Sequence, residues 1–404
     1  MSASAPALAP ESARTIRGLF LVAMAVFLVT IAIGILNGLD VVEFNRDQLL
    51  THVHSGTLGW LTLTIVAASA WLFGGIDRRL AIALAVLIPV YVLAFYLAIP
   101  WLRAAVGGLL LIAIVWLVVW AWQAAMADRS LPRLAIALGL TTFTYGAIIG
   151  VLRQVQNAGG PVPFSNTADI VGAHAAAMVF SYLILAAMGL LEWKVLRTTD
   201  RPRGGIVQVG LLFLGGVVIS GTLLFLPPEA IQPAGGLYLL MQLVAVAIFA
   251  VRVLPTAVRV DWARPSGARN FAMASVFVVV ATVIYLYVIF RVISDPSLDV
   301  TSPSITGVLI ASDHSTFIGV ITNLMFGLLL VLTLEQASRW PWADQLVFWG
   351  VNVGLAIFIV GLVLDAAILK RIGTPIMGLA LLLGLATFAS RLWASDLTGA
   401  DETA

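Results

Sequence analysis

Four histidines are the residues of this chain whose type and spacing best suit metal chemistry. His52, His54, His174 and His314 are the only histidines among 404 residues, and each lies inside an apolar segment long enough to cross a membrane. Ionisable side chains at membrane depth are costly and usually functional. The chain has no cysteine, so the simplest use for several buried imidazoles is to hold a metal, and haem iron suits them best.

The composition places the chain in the membrane class. It is 61% apolar and only 10% charged, which is far outside the range of soluble domains. Runs of about 20 apolar residues recur along its whole length. They predict an all-α polytopic membrane protein with twelve transmembrane helices in contact with lipid. The predicted spans are 16–37, 50–74, 80–100, 104–126, 131–152, 168–192, 206–227, 234–254, 270–292, 306–334, 344–366 and 373–394.

Residues 16–394 are expected to form a single twelve-helix transmembrane domain. Residues 1–15 are predicted to be a disordered cytoplasmic N-terminus, and 395–404 a cytoplasmic tail. The first span is too long for the apolar core of a cleavable signal, so it is interpreted as a retained anchor.

The distribution of lysine and arginine predicts the orientation. Sixteen of the 22 basic residues fall on the side of the N-terminus, which the positive-inside rule assigns to the cytoplasm. The prediction is a multi-pass protein of the bacterial cytoplasmic (inner) membrane with both termini cytoplasmic. All four histidines then lie in the outer, periplasm-facing half. The basic residues on the outer side are Arg46, Arg103, Arg153, Arg291, Lys370 and Arg371.

The spacing of the histidines predicts a threefold repeat. His54 and His174 are 120 residues apart, His174 and His314 are 140 apart, and each interval contains four predicted spans. The chain is therefore expected to comprise three pseudo-symmetric four-helix units, about 16–126, 131–254 and 270–394. His54 and His314 both open the pattern H-S-x-x-x-G-x-x-T. A transporter is the competing interpretation, but transporters usually show inverted repeats or two parallel halves.

Helix geometry limits how the histidines could be used. His52 and His54 point about 200° apart on a helix, so they cannot both bind one iron axially. They could ligate two groups on opposite sides of the helix, with His174 and His314 as ligands from facing helices. Four imidazoles suit two bis-histidine haems, or one such haem and a second, five-coordinate haem. The glycine five residues after His54 and after His314 either lets a macrocycle approach the backbone or permits tight helix packing.

Several charged residues are candidates for supporting roles. Haem propionates need cationic partners, and Lys370-Arg371 is the only adjacent basic pair on the outer side, with Arg153 and Arg46 as further candidates. Interfacial snorkelling is the alternative for each of them. Asp313 could orient the imidazole that follows it, or form a cap or water contact instead.

Glu192 and most of the tryptophans are interpreted as residues of the membrane interface. Glu192 ends the sixth predicted span. The tryptophans are mostly expected to form the aromatic belt of the membrane surface; they include Trp60, Trp71, Trp101, Trp340, Trp342 and Trp393.

The nine residues from His52 to Trp60 carry a family resemblance. They read H-V-H-S-G-T-L-G-W and resemble the H-V-H-S-G-x-L-G-W stretch of C-type cytochrome oxidases, which are related to nitric oxide reductases. These enzymes belong to the haem–copper oxidase subunit I superfamily. The chain resembles that superfamily over nearly its whole length, in its twelve spans and in its histidines on helices 2, 6 and 10. The resemblance implies one or two haem b groups, with His52 on a high-spin and His54 on a low-spin haem. More loosely, the chain resembles the twelve-span haem proteins linked to nitric oxide stress.

The order of the units departs from the family. The family carries H-x-H on helix 10, whereas this chain carries it on helix 2. If the units are used in rotated order, His54 pairs with His174 around a low-spin haem, and His52 ligates a second haem that faces His314. Without rotation, His54 pairs with His314, and Lys370-Arg371 matches the family's basic propionate clamp. Both pairings remain open.

The second departure concerns the second metal. The family holds it with three histidines, one on helix 6 and an adjacent pair on helix 7, but the seventh span here has none and no adjacent pair occurs. Four histidines cannot hold two haems and also build a three-histidine site, so no copper is expected.

The resemblance implies a b-type haem protein of the respiratory chain that transfers electrons near the periplasmic face. Its expected partners are a cytochrome c or quinol and other respiratory subunits, and not nucleic acid. Whether it is an enzyme stays open. The alternatives are an oxidoreductase that reduces nitric oxide or oxygen at a five-coordinate haem, and a non-catalytic haem or gas sensor or structural subunit of a respiratory complex.

Overall fold

The chain folds into long apolar helices. The computed structural model describes residues 8–165, 168–197, 200–295, 298, 302–334, 336, 338–395 and 397. These residues contain helices but no strand, and twelve helices are long and apolar enough to cross a membrane. The predicted all-α class is confirmed for these residues, and the twelve helices that could cross a membrane are consistent with a multi-pass membrane protein. The helices are α1 (Pro10–Gly38), α2 (Arg46–Phe73), α3 (Arg78–Tyr96), α4 (Pro100–Ala127), α5 (Leu131–Asn157), α6 (Ile170–Leu196), α7 (Arg203–Phe225), α8 (Ile231–Arg252), α9 (Gly267–Val292), α10 (Ser304–Leu332), α11 (Ala343–Val363) and α12 (Ala367–Ala394).

Several helices begin earlier than the apolar runs suggest, because their first turns are polar. α1 begins with Pro10, which suits a first turn because that position needs no N–H donor. Of the segment predicted to be disordered, residues 1–7 lie outside the described residues. The cap of α2 is Asn45, whose side chain accepts from the Gln48 N–H while the Gln48 side chain accepts from the Asn45 N–H, both at 3.0 Å. This reciprocal capping box fixes the start of the helix.

The start of α12 changes the position of the basic pair. The apolar runs predict a loop at Lys370 and Arg371, but α12 begins at Ala367 and contains both residues in its first turns. The predicted C-terminal tail falls largely outside the described residues, which after Ala394 are only Ser395 and Leu397.

The chain divides into two compact units. One is built from Ile65–Val253, and the other from Ala7–Thr64 together with Leu254–Ala404. The division falls inside α2. The three four-helix units stay a prediction.

The three histidine-bearing helices each change to π-helical hydrogen bonding just after a histidine. The π segments are Ser55–Thr62 in α2, Ala176–Leu183 in α6 and Ser315–Thr322 in α10. Most π-helices are single-turn bulges, frequently at functional sites. Their recurrence marks α2, α6 and α10 as locally alike in backbone as well as in carrying histidine.

The exposed faces of many helices are apolar. Ile82, Ile112, Val251 and Leu379 expose 51%, 68%, 78% and 62% of their surface. Extended apolar surface of this kind is unfavourable in water, whereas a membrane-embedded helical protein places it against lipid.

Two of the tryptophans predicted to lie at the membrane surface are instead buried. Trp60 and Trp71 are only 0% and 1% exposed. Trp60 stacks on Phe27 with ring centroids 4.8 Å apart, and its indole N–H donates to the Thr322 hydroxyl at 2.9 Å. A buried tryptophan needs such a partner, and residue type alone does not reveal that one exists.

Glu192 is also buried rather than interfacial, with 1% exposure. Arg252 donates to both of its carboxylate oxygens at 2.9 Å, and Gln208 donates to one of them at 3.0 Å. The complete set of hydrogen bonds is what makes a buried ion pair tolerable.

Candidate metal centre

The histidines lie on the three most enclosed helices of the chain. In the membrane-spanning stretches of α2, α6 and α10, 83%, 71% and 89% of the residues are buried, whereas no other membrane-spanning helix among the described residues exceeds 56%. A helix that is apolar and buried on all sides belongs to the interior. The four histidines themselves are half-buried, and an ionisable group at membrane depth is costly and usually functional.

All four imidazoles are held through Nδ1 by a backbone carbonyl. His52 Nδ1 lies 2.9 Å from the Thr30 oxygen and His54 Nδ1 lies 2.8 Å from that of Leu50. The corresponding distances are 2.8 Å from His174 to Gly146 and 2.9 Å from His314 to Ile310. A carbonyl oxygen can only accept, so Nδ1 carries a proton, and in the neutral imidazole Nε2 then carries the lone pair. A histidine that ligates a metal through Nε2 needs this tautomer.

The carbonyls fall into two classes. His52 and His174 reach a neighbouring helix, to Thr30 of α1 and to Gly146 of α5. His54 and His314 instead use the carbonyl four residues earlier in their own helix. The bonds of His52 and His174 therefore tie each imidazole to a second helix. The bonds of His54 and His314 fix each imidazole relative to the helix that carries it.

A glycine adjoins each imidazole of the first class. Gly34 follows Thr30 by four residues, and a Cβ built on it would lie 3.1 Å from Cε1 of His52. Gly150 follows Gly146 by four residues, and its Cβ would lie 2.8 Å from Cε1 and 3.0 Å from Nδ1 of His174. Any larger residue would press on the ring, most severely at Gly150.

The third histidine helix makes the same interhelical contact without an imidazole. Ser312 precedes His314 by two residues, as His52 precedes His54. Its hydroxyl donates to the Ala281 carbonyl of α9 at 3.2 Å. Four residues after Ala281 the chain has Tyr285 instead of glycine. His52, His174 and Ser312 thus occupy comparable positions, each bonded to the helix that precedes its own.

His314 has one aromatic neighbour besides its carbonyl. Its ring packs edge-to-face on Phe358, with ring centroids 5.1 Å apart. Asp313 does not orient His314 through Nδ1, because the Ile310 carbonyl occupies that atom. His174 lies in the second turn of α6, whereas His314 lies about three turns inside α10, so the histidines do not share one depth along their helices.

The glycines after His54 and His314 serve helix packing. A Cβ on Gly59 would lie 2.2 Å from Cγ1 of Val26, and one on Gly319 would lie 2.4 Å from the Phe277 ring. Side chains of α1 and α9 therefore fill the space over these glycines. Of the two interpretations, close packing of neighbouring helices accounts for them.

The candidate propionate ligands have carboxylate or amide neighbours in three of four cases. Arg371 bonds Asp40 through Nε and Nη2 at 3.0 and 2.8 Å, and Lys370 lies 3.2 Å from Asp365. Arg153 donates to the Gln156 side chain. The fourth candidate, Arg46, is an exposed residue in the first turn of α2.

Within the described parts of the chain, no three or more histidine, cysteine, aspartate or glutamate side chains come together as a site for a metal ion. A haem iron takes only one or two protein ligands, so it needs no such group. The donor chemistry of the four imidazoles fits haem iron. Comparison of the chain with models of protein families and with curated proteins found no match.

Proposed function

We propose that this chain is a b-type haem-binding membrane protein that carries out respiratory electron transfer near the periplasmic face. One observation carries the proposal. On the three most enclosed helices, all four imidazoles give their Nδ1 proton to a carbonyl and so present Nε2 as a base.

A purely structural role explains this arrangement less well. Serine makes the same helix-to-helix bond at Ser312 without bringing an ionisable ring into the membrane. The cost of placing a histidine at membrane depth is better explained if the histidine binds a metal. Haem iron needs no thiolate and no third imidazole, which suits a chain without cysteine.

His52 and His314 serve the same group on the rotated interpretation, in which a group ligated by His52 faces His314. Without rotation, His54 pairs with His314 instead. The partner of His54 stays open. When bound, haem would supply a one-electron couple. The chain would supply the imidazoles, their orientation and an interior that excludes water.

Lys370 and Arg371 remain candidates for the propionates. The carboxylate partners of both pairs are largely exposed, with Asp365 at 92% and Asp40 at 65% side-chain exposure. Exposed pairs of this kind contribute little stability. A propionate could therefore replace either carboxylate at small cost.

The absorption spectrum of the purified protein tests the proposal. A Soret band and, after reduction with dithionite, the α-band of a b-type haem are expected. Carbon monoxide added to the reduced protein separates the candidate functions. A six-coordinate, unreactive spectrum supports electron transfer, whereas carbon monoxide binding supports reduction or sensing of a gas at a five-coordinate haem. A protein purified from haem-replete cells without any Soret band would contradict haem binding.

A further inference from the structure

We infer that Gly34 and Gly150 are positioning residues that hold two haem-ligating imidazoles in place. Each belongs to an imidazole seat, defined as a helix carbonyl and the glycine four residues after it. One seat is the Thr30 carbonyl with Gly34, which receives His52, and the other is the Gly146 carbonyl with Gly150, which receives His174. The inference rests on the proposed function, because the role assigned is to aim Nε2 at iron.

The spacing of four residues has a physical reason. In an α-helix the carbonyl of residue i accepts from the N–H of residue i+4, so residue i+4 lies directly beside that carbonyl. The carbonyl has a second lone pair, but a side chain at i+4 covers the approach to it. Glycine leaves this approach open, and the imidazole can lie flat enough on the helix to donate from Nδ1.

The surroundings of the two glycines support a role toward the imidazole. Beyond the helix's own nearby backbone, the only atoms of the described residues within 4 Å of a Cβ on Gly34 would be Cε1 and Nδ1 of His52. For Gly150, the three nearest atoms all belong to His174. By contrast, a Cβ on Gly59 would meet Val26, as expected for a glycine that serves helix packing.

The third comparable position supports the same assignment. Where Ser312 replaces the imidazole, the residue four after the accepting carbonyl of Ala281 is Tyr285. Glycine therefore accompanies the carbonyl where a ring must fit, and is absent where the donor is a short hydroxyl. The seats also tie the imidazole to a helix other than its own, which restrains rotation of the ring and so fixes the direction of Nε2.

Alanine substitutions test the seats. In Gly150→Ala the ring of His174 must move, because Cβ would lie 2.8 Å from Cε1. Groups that orient a metal-bound histidine typically contribute 10- to 100-fold to metal affinity, so we expect haem binding to weaken by about that factor. The low-spin ferric signal in electron paramagnetic resonance should shift as well. Gly34→Ala should have a smaller effect in the same direction, because its Cβ would lie 3.1 Å from Cε1 of His52. This second variant tests the inference if Gly150→Ala does not fold.

Matched controls are available in the same units. A Cβ on Gly18 of α1 or on Gly210 of α7 would have nothing within 4 Å, so Gly18→Ala and Gly210→Ala should leave haem affinity and the resonance signal unchanged. Equal affinity and equal spectra in wild type, Gly34→Ala and Gly150→Ala would overturn the inference.

A second readout separates failure of the seats from failure of haem binding. Nitrogen-15 chemical shifts of the histidines in the haem-free protein report the tautomer directly. We expect His174 to be protonated at Nδ1 in wild type and to become a mixture of tautomers in Gly150→Ala. If the wild type never binds haem, the proposed function fails, but this measurement still decides the seat. An unchanged tautomer in Gly150→Ala would refute it.

Discussion

His174 donates its Nδ1 proton to the carbonyl of Gly146, 2.8 Å away on the preceding transmembrane helix. The same relationship joins His52 to Thr30 at 2.9 Å. A histidine held in this way is a neutral base whose second nitrogen has a defined direction. The proposed haem ligands, the candidate cations for the propionates and the packing of buried residues each have measurable consequences.

Removal of His314 should open a coordination position. If His52 and His314 face the same haem, His314→Ala leaves that haem with one axial imidazole, and the reduced protein should gain carbon monoxide binding. The change is read as a shift of the Soret band on addition of the gas. Thr306→Ala, a change in an earlier turn of α10, is the control and should behave as wild type. A His314→Ala variant with haem content and gas reactivity identical to wild type would exclude His314 as a ligand.

Arg371 and Asp40 should affect haem retention in opposite directions. Arg371→Gln removes a cation that could bind a propionate, and haem should dissociate faster. Asp40→Asn removes the carboxylate that competes for Arg371, so haem should be held as well or better. Dissociation is followed by transfer of haem to apomyoglobin. Slower loss in Arg371→Gln than in Asp40→Asn would show that Arg371 has no role toward a propionate.

Trp60 and Thr322 should be coupled in stability. Thr322→Val leaves the Trp60 indole N–H without its acceptor in a fully buried place. An unsatisfied buried donor costs about 1–3 kcal/mol. In a Trp60→Phe background the same substitution should cost much less, since no donor is left unsatisfied. Chemical unfolding of the four proteins in detergent gives the coupling, and strictly additive effects would contradict it.

The Glu192–Arg252 pair should be sensitive to removal of one partner. Arg252→Gln leaves a buried carboxylate without its bidentate donor, which should lower the free energy of unfolding by about 3–5 kcal/mol. The double variant Glu192→Gln/Arg252→Gln removes both charges and should recover much of the loss. Arg264→Gln breaks an exposed pair with Asp261 and serves as the control without measurable effect. If Arg252→Gln were as stable as Arg264→Gln, the Glu192–Arg252 pair would not be needed for stability.

The twelve helices could be predicted because the length and polarity of each apolar run decide whether it can cross a bilayer. The histidines could be singled out for a related reason, since ionisable groups stand out in such runs. The prediction of a loop at Lys370-Arg371 was wrong, because two charged residues that interrupt the apolar start of a helix look like a loop when hydropathy alone is considered.

The supporting contacts could not be predicted. The carbonyl of Gly146 and the space beside Gly150 are properties of the backbone and of helix packing, and the chain contains 35 glycines without a signal to distinguish these two. The partner of Glu192 is 60 residues away in Arg252, so local sequence suggested an interfacial carboxylate. The π segments after the histidines also follow no pattern that residue periodicity alone reveals.

The haem-to-protein ratio of the purified protein, measured as the pyridine haemochrome, tests haem binding by the histidines most directly. We expect haem b at one or two groups per chain in wild type, with loss of the low-spin haem in His54→Ala. Thr57→Ala, a change one turn further along α2, should retain the wild-type ratio. A wild-type protein that carries no haem, or a His54→Ala variant that loses none, would refute haem ligation by the histidines.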